Sequence, residues 1–180
     1  MNFLESRTAK KASMPPNPTT KSWSAWFDSS IYYAEYFLVL SDFIIEEVGR
    51  GRNTASNSLL SLETMYSNQE LVTKIHAQLK LVKDKAPTIL SCLNYFQERM
   101  PHATAVHGVM QRLMHYLQVN VNAKDDEFSF CFEDSPYSVS SDVRADVIDS
   151  AKAAFTAAYE KLSKYVVDGA QPAMPFFEQI

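Results

Sequence analysis

At 180 residues and 46% hydrophobic composition, the chain carries enough apolar side chain to build one core without disulfide staples. The net charge of −4 is unevenly placed: four cations against Glu5 give +3 over residues 1–21, and thirteen cations against twenty acids give −7 over the remainder. No run of 18 apolar residues supplies a bilayer span, and the first residues lack the continuous apolar stretch and small-residue cleavage site of a secretory leader, so membrane insertion and secretion are not expected.

Residues 1–21 are read as a flexible basic arm. Its prolines, in MPPNPTTK, discourage a continuous helix. Arg7, Lys10, Lys11 and Lys21 supply its positive charge, which suits nucleic acid or an acidic partner.

The first long helix is predicted to start near Ser22 or Ser24 and to stop before the two glycines of Gly49-Arg50-Gly51-Arg52. At 100° per residue, Asp28, Glu35, Asp42 and Glu46 fall in a wedge of about 40°. Trp26, Tyr33, Phe37, Leu40, Ile44 and Val48 form a broad apolar surface, which predicts a central helix with more than one neighbour. Asp28, Glu35 and Asp42 are successively about 10.5 Å apart along the axis, too far to grip one ion together. Trp23, Trp26, Phe27 and the four acids are therefore taken as candidate contacts for a protein partner. Arg50 and Arg52 join the arm as candidate nucleic-acid contacts, although their glycine-rich tract matches neither a P-loop nor a dinucleotide fingerprint.

A short helix is expected over 54–66. Ser67-Asn68-Gln69-Glu70 has capping-box spacing and is expected to open a helix running to about Lys85. Pro87 and Pro101 each look like the first turn of a further helix. Four histidines, His76, His102, His107 and His115, show no metal-binding spacing, and neither a metal nor a cofactor is expected. Cys92 and Cys131 lie in apolar settings that predict buried free thiols, which fits the cytoplasm or another reducing intracellular compartment.

Residues 120–127 read as a loop. From Glu127 to Glu133, strict alternation predicts a short strand with Phe128, Phe130 and Phe132 on one face and Ser129 and Cys131 on the other. Such a strand would form a small hairpin, lie across the helices or pair with a partner, so its three phenylalanines join the candidate contacts. A last long helix is expected from Ser140 toward Val167, packing through Val143, Val147, Ala151, Ala154, Ala158 and Leu162. The aromatic tail after Gly169 adds Phe176, Phe177 and Ile180 as anchors for the bundle or a partner.

The expected fold class is all-α or predominantly α, an irregular multi-helix bundle with a short β-strand or hairpin insertion, within a single helical domain over 22–180. The function this favours is a noncatalytic helical interaction or assembly protein: an adaptor, a homo-oligomer, or an inhibitor of a basic protein surface. Two alternatives stand beside it. One is a nucleic-acid packaging or regulatory protein using its basic arm; the other is a small helical enzyme, although no nucleophile elbow, paired-cysteine redox motif or kinase constellation anchors a reaction.

Overall fold

The computed structural model describes residues 23–51, 55–97 and 103–166. The basic arm, Arg52, His102 and the aromatic tail with Phe176, Phe177 and Ile180 lie outside them. The described residues form five α-helices and one 3-10 helix: α1 (Trp23–Gly51), α2 (Asn57–Ser67), α3 (Gln69–Gln97), α4 (Ala103–Val121), the 3-10 helix (Asp125–Phe132) and α5 (Ser141–Val166). No strand or sheet occurs among them.

The expected strand is therefore corrected. A single strand leaves its backbone donors and acceptors without partners when buried, whereas a 3-10 helix bonds them internally and sets residues three apart on one side. Phe128 and Cys131, both 1% exposed, enter the core with Phe132 at 7%. Phe130 stays partly buried, with the Lys85 ammonium 5.4 Å from its ring centre, and Ser129 is exposed. The three rings thus do not share a face. The Glu127 carboxylate holds the start of this turn by accepting from the Lys124 amide at 2.8 Å.

The hub is α3, not α1 as the breadth of its apolar surface suggests. α3 packs against α1, α2, α4, α5 and the 3-10 helix, whereas α1 packs only on α2 and α3 among the described residues. Two apolar clusters result. Phe37 and Ile44 of α1, Tyr66 of α2 and Val72 of α3 form one. Ala77 of α3, Leu117 of α4, the 3-10 residues Phe128, Cys131 and Phe132, and Val143, Val147, Ile148, Ala151 and Phe155 of α5 form the other. On α5 the buried stripe turns toward Ile148 and Phe155, leaving the expected Ala154 and Ala158 exposed, because larger side chains remove more apolar area from water. Ion pairs from Lys74 to Asp146 at 2.5 Å and from Lys152 to Asp125 at 2.6 Å tie α5 to α3 and to the 3-10 helix.

Helix ends also differ from expectation in instructive ways. α1 continues through Gly49 to Gly51, helped by Arg50 reaching back one turn to Glu46 and, at 3.0 Å, to Glu47. Ser67 is helical, so it cannot cap α3. Asn68 does so, its carboxamide oxygen accepting from the Leu71 amide at 3.1 Å while its own amide donates to the Met65 carbonyl and closes α2. Ser140 opens α5 as expected, its hydroxyl accepting from the Val143 amide, and Ser56 opens α2 in the same way, accepting from the Leu59 amide.

Pro87 does not break the chain into two helices but lies inside α3. Its ring removes the amide that would bond the Lys83 carbonyl, a cost that contacts on several sides of α3 offset. Tyr116 of α4 braces this turn: its hydroxyl donates to the Lys85 carbonyl at 2.9 Å. Tyr116→Phe is accordingly expected to lower stability by about 1–2 kcal/mol. Urea denaturation of the two proteins measures this, and an unchanged midpoint would show that the hydroxyl braces nothing.

Candidate partner-binding face

Because only α2 and α3 hold α1, an arc of its surface remains in water. On that arc, Leu38 is 38% and Ile45 50% exposed. Phe27 and Ile31 are partly buried in the same direction. Ile31, Leu38 and Ile45 are spaced by seven residues, which keeps them in a nearly straight row, drifting by about 20° per step. The exposed acids Asp28, Glu35 and Asp42 form a parallel row with the same spacing. Arg50 is the sole cation of α1 against five acids, giving this helix a net charge of −4.

On the side of α1 that carries Phe37 and Ile44, its N-terminal half is aromatic. Trp26 is 50% and Tyr33 39% exposed. Trp26 meets Phe27 edge-on with ring centres 5.1 Å apart, and Tyr32 lies 4.6 Å from Tyr36. Edge-on and tilted aromatic contacts of this kind fix ring positions and add about 0.5–1.5 kcal/mol beyond area burial. The outer face therefore combines exposed aliphatic groups with a line of carboxylates, while Trp26 and Tyr33 lie roughly 120° or more around the helix, on the side of Phe37 and Ile44.

The predicted contacts divide sharply on the structure. Trp26, Phe27, Asp28, Glu35, Asp42 and Glu46 all belong to α1, as does Trp23, whose side chain is outside the described set. Glu46 is paired with Arg50. Phe128 and Phe132 are buried in the core, while Phe130 is partly buried at its edge beside Lys85. Of the six nucleic-acid candidates, Arg50 alone is described, and its guanidinium lies on two carboxylates of its own helix. The sequence reading overlooked Leu38 and Ile45. Their signal was present in the seven-residue spacing that parallels the acids.

No family model, curated protein or solved structure matches this chain.

Chemistry elsewhere is modest. A groove of about 390 Å³ between α3 and α4 is lined by Pro87, Thr88, Ser91, Cys92 and Arg112. Burial pushes the Cys92 thiol up, against the opposing pull of Arg112, so the group is protonated and a poor nucleophile at neutral pH. Cys131 is pushed up to about 11, chiefly by burial. Both cysteines are buried and free, as their apolar sequence settings predict. Among the described residues, no three His, Cys, Asp or Glu side chains come together as metal ligands, and no helix is long and apolar enough to cross a membrane.

His76 acquires a setting its sequence does not announce. It is 7% exposed and stacks on Phe37, ring centres 5.5 Å apart at an interplanar angle of 11°. Phe37 in turn lies 5.2 Å from Tyr66. Burial, aided by Lys80 and opposed by Asp134, holds the imidazole below its ordinary value of 6.5. This stack is one of the contacts that join α1 to α3.

Proposed function

We propose that this protein acts by recognition without bond chemistry, as a helical interaction protein that holds a protein partner along the outer face of α1. One observation carries the reading: α1 is held by α2 and α3 and leaves Leu38 and Ile45 on one outer arc, 38% and 50% exposed, beside a row of exposed acids. A desolvated apolar centre with a polar rim is the usual arrangement of a protein interface. The engagement of Arg50 with Glu46 and Glu47 further favours a protein over a nucleic-acid partner at this end of the helix.

The test is affinity purification of the intact protein, of Leu38→Asp/Ile45→Asp, and of Val119→Asp as a control at a 49% exposed site on α4. These surface changes are expected to leave helix content and stability nearly unaltered. Wild type and control should recover the same protein partner, free of nucleic acid by absorbance, with at least a tenfold loss for the α1 variant. Equal recovery by all three proteins would refute the reading.

A further inference from the structure

We infer that the occupant of this face is a basic amphipathic helix of a different protein, recognised by its apolar row and by cations beside that row. The inference rests on the interaction reading above and goes on to fix the chemistry of the partner. Ile31, Leu38 and Ile45 recur every two turns, so a second helix laid along α1 meets one apolar side chain per repeat. Asp28, Glu35 and Asp42 accompany them with the same period, in the flanking position that selects partners in paired helices. Leu38 and Ile45 are 38% and 50% exposed, and the three acids are exposed as well.

A second copy of α1 does not supply the complement. Set antiparallel, two such helices place one acidic row against the other, and like charges repel. Set parallel, each acidic row meets the opposite flank of the partner helix, which carries Ser30, Phe37 and Ile44. Phe37 and Ile44 are 4% and 7% exposed, committed to the bundle's own core. Neither arrangement brings a cation to Asp28 or Asp42, whereas lysine or arginine beside a partner's apolar row pairs with both. Water screens each such pair, so the charges select the partner and speed encounter while the apolar row holds it.

The probes are two synthetic helical peptides with the same apolar residues at heptad spacing, one flanked by lysines and the other by glutamates. Each is titrated into the intact protein at low and at physiological salt, with fluorescence anisotropy as the readout. The lysine peptide should bind at least about tenfold more tightly than the glutamate peptide, and the difference should shrink as salt rises. Leu38→Asp/Ile45→Asp should lose at least tenfold in affinity for the lysine peptide, and Asp28→Lys/Asp42→Lys should reverse the peptide preference.

Equal binding of the two peptides, with a loss in Leu38→Asp/Ile45→Asp, overturns the basic-helix assignment and leaves the interaction face standing. Binding of neither peptide, or binding indifferent to both α1 variants, also overturns it, and the interaction reading is then judged separately by the affinity purification. A native mass of two chains for the wild type that becomes one chain in Ile45→Asp overturns it in favour of a second copy.

Discussion

Phe128→Ala is expected to destabilise the protein by about 3–5 kcal/mol, while Phe130→Ala, two residues away, costs on the order of 1 kcal/mol. Phe128 is 1% exposed and belongs to the larger apolar cluster, so truncation leaves a cavity surrounded by α3, α4 and α5 residues. Phe130 is only partly buried at the edge of that cluster, with the Lys85 ammonium over its ring, so its truncation opens toward solvent and removes less buried area. Urea denaturation of the two variants separates the observed 3-10 turn from a strand. In a strand, residues 128, 130 and 132 share one face, and the alanine variants would suffer comparably. Similar losses for Phe128→Ala and Phe130→Ala would therefore contradict the packing described above.

A second large effect is expected at the α1–α3 joint. Phe37, 4% exposed, stands between Tyr66 and His76. Phe37→Ala should cost about 3–5 kcal/mol and should also change how stability responds to pH. In the folded wild type, His76 is held below 6.5 by burial, with Lys80 adding to the effect and Asp134 opposing it. The unfolded chain therefore binds more protons than the folded one in the window between the lowered folded value and 6.5.

Stability from keeping His76 neutral is consequently full above that window. It is lost as pH falls below 6.5, with a limiting slope of about 1.4 kcal/mol per pH unit for one proton, until the folded value is passed. Opening the site in Phe37→Ala returns the imidazole toward its ordinary value and flattens this component, and His76→Leu removes it. Thermal midpoints measured between pH 8 and pH 5 report the difference. A wild type and a His76→Leu variant with parallel pH profiles would show that His76 contributes no such linkage.

The candidate face was half legible in the chain. Asp28, Glu35 and Asp42 announce their shared side by spacing alone, because helical periodicity is a local property. Trp26 and Phe27 were visible as candidates, although only Phe27 lies toward the Leu38 and Ile45 row. Leu38 and Ile45 themselves were not visible, since an apolar residue on a helix reads equally as core or surface until its neighbours are known. Phe128 and Phe132 erred in the opposite direction. Their alternation with Ser129 and Cys131 fits a strand, yet Phe128, Cys131 and Phe132 also stand three and four residues apart. Local pattern cannot choose between these readings, because a strand needs another strand to bond.

The helical class, the N-terminal role of Ser140, the burial of both cysteines and the acidic line on α1 were readable from the chain. Each depends on interactions within a few residues or on the high cost of leaving an apolar group in water. Only the tertiary structure decided that α3 rather than α1 is the hub, that Pro87 is carried inside a continuous helix braced by Tyr116, and that His76 is stacked against Phe37. These depend on contacts between residues far apart in the chain. Long-range packing can offset a lost backbone hydrogen bond at Pro87, or commit one flank of α1 to the core and leave the other to water, and local periodicity carries no record of which neighbour will arrive.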